Sequence, residues 1–168
     1  MEDGTLQFLP IEELKKLRVN ADLREQLLVT EEETALSAGD GVCFELKFHI
    51  DLQKTDADRL ELILRCGEGR RTVCLFDFKK AELSVDRNEA DGWSRGVSRS
   101  VLNLKKKTEL DVHVFSDQSS IEIFTDQYRN NHANNIFAGD TQNQIRIRAY
   151  GGSVTLRKVE TYGLLSCW

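Results

Sequence analysis

A chain of 168 residues fits one domain, since domains commonly run to roughly 100–200 residues. A chain this long buries about 68–70% of its extended surface without help from metals or disulfides. Charged residues make up 30% and apolar ones 40%, a globular mixture. The net charge of −5, from 28 acids and 23 bases, argues against nucleic acid as a partner, because no basic excess is there to neutralise phosphates. No apolar run reaches the roughly 20 residues of a membrane span, and the opening MEDGTLQFLP is too acidic and polar for a secretory signal. Cys43, Cys66, Cys74 and Cys167 have no C-x-x-C spacing, are too sparse for a disulfide scaffold, and read as small buried hydrophobes. With no N-x-S/T acceptor either, the expected setting is a reducing cytoplasm.

In chain order, Pro10–Arg18 (PIEELKKLR) predicts a short helix. Pro10 sits where its missing N–H is harmless, Glu12 and Glu13 suit the first turn, and Lys15, Lys16 and Arg18 suit the last. Ile11, Leu14 and Leu17 recur every three residues, a narrow apolar stripe that needs docking to persist. From there the period is two. Val42, Phe44, Leu46, Phe48 and Ile50 point one way and Cys43, Glu45, Lys47 and His49 the other, as in a strand with one buried face. Leu60–Cys66, Thr72–Phe78, Glu82–Asp86, Glu109–Phe115, Ser120–Thr125, Gln144–Tyr150 and Val154–Tyr162 are further strands, and Leu27–Glu33 a less regular one. Gly, Asn and Asp turn signals separate them, so the chain predicts an all-β, two-sheet antiparallel sandwich.

Three groups of side chains are candidates for chemistry. His49 and His113 fall on the polar faces of two strands, and His132 falls in Tyr128–Asn135 (YRNNHANN), read as a loop. All three read as solvated, since zinc needs three or four ligands converging at about 2.0–2.3 Å. Glu109, Asp111 and His113 share one strand face, with positions two apart separated by roughly 6.5–7 Å. That is near the spacing of paired glycosidase carboxylates, but Val114 breaks the E-x-D-x-x-E run of sandwich hydrolases. Trp93 and Tyr128, with the amides of Asn131 and Asn134, combine aromatic faces and polar groups as a sugar platform does. The same composition is ordinary in loops, and both readings stay open. Neither a metal nor a cofactor is implied.

Glu109–Phe124 (ELDVHVFSDQSSIEIF) resembles the hallmark hairpin of the C-terminal sandwich in glycoside hydrolase family 32, the invertase, sucrose-6-phosphate hydrolase and levanase group. Asp117, Ser119, Ser120, Ile121, Glu122, Ile123 and Phe124 match its D-x-S-S-x-E-x-F run, and Ile136-Phe137 follows where the family has an I-F pair. Ser84–Arg87 (SVDR) resembles its V-D-R segment, Tyr162–Trp168 (YGLLSCW) its terminal strand, and Gly4–Arg18 its linker. There are two departures: Tyr128–Asn135 replaces the usual N-D-G turn, and Cys167 stands where Ile is common. Read on its own, the hairpin needs no catalytic role. Asp117, Ser119 and Ser120 can bond their own backbone and hold a tight turn, sending Ile121 and Ile123 inward and Glu122 out. Asp117, Ser119, Ser120, Glu122 and Phe124 are therefore expected to be structural.

The resemblance implies a sandwich akin to the concanavalin A or lectin-like jelly roll over residues 21–168, behind a linker and short helix over residues 1–20. Family enzymes resemble one another in a five-bladed propeller bearing N-D-P-N and R-D-P aspartates and an E-C glutamate, which perform retaining cleavage. Here the sole proline, Pro10, follows Leu9, and no cysteine follows a glutamate, so all three motifs are missing. The expected catalytic residues are none. The chain is expected to begin about where a propeller would end, as the non-catalytic module of a β-fructofuranosidase. Its expected partners are that propeller, a second copy of itself, or an oligosaccharide.

Overall fold

Strands form where the side chains alternate, and antiparallel pairing sorts them into two layers. A computed structural model describes Gly4 and residues 6–165. Cys167 and the end of the Tyr162–Trp168 segment lie outside the described residues. In chain order the strands are β1 (Arg18–Val29), β2 (Thr34–Leu36), β3 (Phe44–Asp51), β4 (Arg59–Gly67), β5 (Arg70–Asp77), β6 (Glu82–Asp86), β7 (Val97–Val101), β8 (Glu109–Ser116), β9 (Ser120–Thr125), β10 (Asn130–Asn135), β11 (Gln144–Tyr150) and β12 (Val154–Leu164). Sheet I has the order β1-β12-β3-β8-β9-β10 and sheet II the order β2-β11-β4-β5-β6-β7, with every pairing antiparallel. This is the two-sheet all-β sandwich that the alternation predicts.

The core is built from one parity of each strand. Phe44, Leu46, Phe48 and Ile50 of β3 join Leu110, Val112 and Val114 of β8 and Ile121 and Ile123 of β9 in one buried cluster with Leu60, Leu62 and Leu64 of β4. Fully burying a side chain of this kind contributes about 1.5–3 kcal/mol relative to leaving it in water. The parity also fixes register, because a one-residue slip would turn each apolar set to solvent. Phe44 accordingly lies opposite Ser116, and Ile50 opposite Leu110.

The short helix expected over Pro10–Arg18 is present over Glu12–Leu17, as a 3-10 helix with no side-chain cap at its start. With 3.0 residues per turn, the three-residue spacing of Ile11, Leu14 and Leu17 is the natural stripe of that tighter helix. The Asn-rich stretch is not a loop. Asp126, Gln127 and Tyr128 take positive φ (54°, 54° and 63°) and turn the chain into β10. β7 was also not evident from the sequence. β10 and β7 are outer strands, and their inward side chains are polar and meet across the gap between the sheets. His132 Nδ1 lies 2.9 Å from Ser98 Oγ and Nε2 2.7 Å from Ser100 Oγ, while Asn130 Nδ2 donates to Ser100 Oγ at 2.9 Å. His132 is therefore buried rather than solvated, and burial lowers its pKa. β1 starts at Arg18, just ahead of the expected start of the sandwich at residue 21.

A bulge between Leu64 and Gly67 puts Arg65 at φ +48° and sends its fully buried side chain between the layers. Its guanidinium meets no carboxylate. Nε donates to the Gln142 carbonyl (2.8 Å), Nη1 to that of Asp117 (2.7 Å), and Nη2 to those of Ala138 (3.2 Å) and Gly139 (3.3 Å). One cation thus fastens the β8–β9 turn and the β10–β11 connection to β4. Arg65→Met is expected to leave these carbonyls unpaired and lower stability by about 2–4 kcal/mol, read as a lower urea midpoint at unchanged slope. A midpoint within error of the parent would remove the clamp from the account.

Candidate functional site

The outer face of sheet I carries a close group of titratable side chains. Alternation puts Glu45 of β3 and His113 and Phe115 of β8 on this face, with Phe124 of β9 beside them. Such a face is normally wet, but here the segment around Phe8–Leu14 lies across it. The Phe8 N–H donates to the Tyr128 carbonyl at 2.9 Å, and the Gln7 amide donates to that of Gln127 at 2.9 Å. Beneath this strap is a groove of about 460 Å³ lined by Leu9, Leu14, Phe115, Phe124 and Asn131. A hollow of about 250 Å³ adjoins it, lined by Arg18, Glu45, Lys47, His113 and Tyr128.

Covering the face changes its chemistry. Glu45 is 1% exposed and takes Arg18 in a two-point pair, Nε to Oε2 at 2.6 Å and Nη2 to Oε1 at 2.5 Å. The same guanidinium stacks 4.3 Å from the centre of the Tyr162 ring. His113 Nε2 lies 2.7 Å from Glu45 Oε1, and Nδ1 lies 3.1 Å from the Tyr128 hydroxyl. Phe115, Phe124 and Tyr128 pack around the imidazole with ring centres 4.5, 6.3 and 5.8 Å away. Burial pushes the Glu45 carboxyl up, but His113 and Arg18 outweigh it and hold it down, from its ordinary 4.5 to about 2. Burial lowers the His113 pKa in spite of Glu45, so a neutral ring donates from Nε2 and accepts at Nδ1. His113 was expected in water and is buried because the strap and Tyr128 cover it.

A carboxylate so far below neutrality is a poor proton donor, and a ring with both nitrogens engaged is a poor base. The arrangement is a tie between strap and sheet. Asp111, the partner proposed for Glu109, instead accepts the Gln127 N–H at 3.0 and 2.9 Å and shapes the β9–β10 turn. In the D-x-S-S turn, Asp117 Oδ1 accepts the backbone N–H groups of Ser119 (2.7 Å) and Ser120 (2.6 Å). Ile121 and Ile123 are buried in the core, with Glu122 on the other face. Phe124 shares that outer parity yet is buried, under the strap.

The four candidate sugar residues do not converge. Trp93 is 86% exposed in the β6–β7 connection, and Tyr128 is held by His113. Asn131 lines the groove on the outer face of β10, whereas Asn134 is buried on the inner face near Ser98. Among the described residues no group of three or more His, Cys, Asp or Glu is placed to hold a metal ion, and no helix is long and apolar enough to cross a membrane. The sequence reading missed Glu45, Arg18 and Arg65. Glu45 looks like any polar-face residue, Arg18 like the end of a helix, and nothing in a single sequence marks a bulge at Arg65.

The model of the family described as "Glycosyl hydrolases family 32 C terminal" matches residues 13–163. The chain belongs to this family. Sucrose-6-phosphate hydrolase of Zymomonas mobilis subsp. mobilis is 29% identical over 123 residues, covering 73% of this chain and 23% of the relative. Levanase of Bacillus subtilis is 21% identical over 168 residues, covering 95% and 24%. Exo-inulinase of Aspergillus awamori has the same fold, with a TM-score of 0.82 at 21% identity, covering 98% of this chain and 33% of that one. This family 32 domain therefore spans about a quarter of the length of these two curated relatives.

The Glu45 tie carries a pH dependence with a definite sign. A carboxyl depressed in the folded state stabilises fully above its ordinary 4.5 and loses that contribution as pH falls toward 2. By the usual conversion this amounts to about 3 kcal/mol. His113, also depressed, adds loss in the same direction below pH 6.5. In urea titrations across this range, Glu45→Gln is expected to be less stable at pH 7 and to lose less on acidification than the parent. Parallel curves would show that Glu45 is not the group responsible.

Proposed function

We propose that this chain is the non-catalytic C-terminal sandwich of a β-fructofuranosidase-type enzyme and packs against that enzyme's catalytic propeller. The observation that carries the reading is the strap. Leu6, Phe8, Leu9 and Ile11 are all exposed, although backbone and side-chain hydrogen bonds fix the segment on sheet I. A fixed strip of large apolar side chains is characteristic of an interface rather than of a free surface. The family match and the much greater length of the relatives support the same view. Free thiols at Cys43, Cys66 and Cys74 favour a reducing, cytoplasmic setting.

Two measurements test this. The purified chain is expected to release no fructose from sucrose or sucrose 6-phosphate above a buffer control. Turnover abolished by Glu109→Gln or Asp111→Asn would overturn the non-catalytic reading. In calorimetry against a separately produced family 32 propeller, Leu9→Asp and Ile11→Asp are expected to weaken association at least tenfold. Loss of affinity without loss of folding, checked by thermal melting, is the supporting result; unchanged affinity would move the interface elsewhere.

A further inference from the structure

The segment from Asn135 to Gly139 is held at six of its backbone groups. Arg87 Nη1 donates to the Asn135 carbonyl at 2.9 Å, and the Ile136 N–H donates to the Ser119 carbonyl at 2.8 Å. The Phe137 N–H donates to Asp91 Oδ2 at 2.7 Å, and the Gly139 N–H to Gln142 Oε1 at 2.7 Å. The Ala138 and Gly139 carbonyls take the buried Arg65 guanidinium. Within this segment Ile136 and Ala138 are buried, yet the Phe137 ring between them is 62% exposed.

The same carboxylate presents a second ring. Asp91 is 8% exposed, and its Oδ1 accepts the N–H groups of Trp93 (2.6 Å) and Ser94 (2.7 Å), while its Oδ2 also takes the Ser94 hydroxyl. The hydrogen bonds lower the Asp91 pKa against the opposing effect of burial, so the carboxylate stays charged. The Trp93 and Phe137 amides therefore lie no more than about 7–8 Å apart, two hydrogen bonds and one carboxylate. Trp93 is the most exposed of the large apolar side chains among the described residues. The surroundings are polar: the Arg70 guanidinium lies against Gly92, and Arg95 follows Trp93 by two residues. Among the described residues neither Arg70 nor Arg95 has an ion-pair partner.

We infer that Trp93 and Phe137, fixed on Asp91, form a binding platform for a neutral oligosaccharide. The apolar C–H face of a sugar ring stacks on an aromatic face, and free guanidinium groups donate hydrogen bonds to its hydroxyls. An open indole beside Gly92, against which the Arg70 guanidinium lies, suits a flat, hydroxyl-rich ligand better than an apolar protein side chain. The platform replaces the looser grouping of Trp93 with Tyr128, Asn131 and Asn134. It stands independently of the propeller-packing reading, since it shares no residue with the strap.

The test is to titrate the whole chain with inulin- and levan-type fructo-oligosaccharides, maltohexaose, cellohexaose and xylohexaose, following tryptophan emission and heat. Binding in the micromolar to millimolar range is expected for at least one of these, with a change in emission. Trp93→Phe should abolish that change, leaving Trp168 as the sole indole. Trp93→Ala should weaken binding at least tenfold and Phe137→Ala about fivefold, with melting temperatures unchanged because both rings lie in solvent. Asp91→Asn keeps both rings and should weaken binding by loosening their support. Absence of binding at 10 mM across the panel, or binding that survives both ring deletions, would overturn the inference. So would a Trp93 emission change produced by the propeller and by no sugar, which would make this a protein interface.

Discussion

A buried cation with no ion-pair partner among the described residues fastens two connections of the sandwich to β4. Arg65 is fully buried, and four backbone carbonyls from two connections satisfy its guanidinium in place of a carboxylate. Removing a charge from water is costly unless hydrogen bonds replace hydration, so this geometry tolerates little rearrangement. If either connection shifted, a donor would be stranded in the core. Only a bulge can place such a residue there, because unbroken alternation would keep Arg65 on the outer face. The positive φ at Arg65 is thus tied to the position of the D-x-S-S turn, more than fifty residues later in the chain.

The covered face of sheet I follows a related logic at a different site. Covering a strand face desolvates whatever it carries, and the polar parity of β3 and β8 carries an acid and an imidazole. Left unpaired, Glu45 would oppose the strap; with Arg18 and His113 it holds the strap down. Arg18 is the residue where the 3-10 helix gives way to β1, so the cation that neutralises Glu45 also marks the point where the strap joins the sheet. Neutralisation and covering are therefore one structural event, and the low pKa of Glu45 reflects the attachment of the strap.

The two-layer architecture was legible because the inward residues of β3, β8, β9 and β11, and of β4 as far as Leu64, alternate without interruption. The D-x-S-S turn was legible because an aspartate bonding two following N–H groups is a local device. What stayed hidden depends on distant partners. β7 and β10 escape periodicity because they close the sandwich edge with Ser98, Ser100, His132 and Asn134, so the inward parity is as polar as the outward one. His113 reads as solvated until the strap is placed over it. The sugar candidates were chosen by composition, and composition cannot show that Asn131 and Asn134, three residues apart on a strand, face opposite sides.

Exposed apolar side chains on this domain fall into sets with different mechanical support, and that difference separates their roles. Leu6, Phe8, Leu9 and Ile11 of the strap ride on a segment joined to sheet I by a few hydrogen bonds and one buried ion pair, a support that can adjust as a partner closes over it. Phe137 rides on a segment gripped by Arg65 from one side and Asp91 from the other, and Trp93 on a turn built around the same Asp91. Protein interfaces tolerate side-chain adjustment, whereas stacking on a small rigid ring gains most from aromatic groups already immobilised. The stiffer support lies under the pair of rings suited to a sugar, and the more adaptable one under the strip suited to a protein surface.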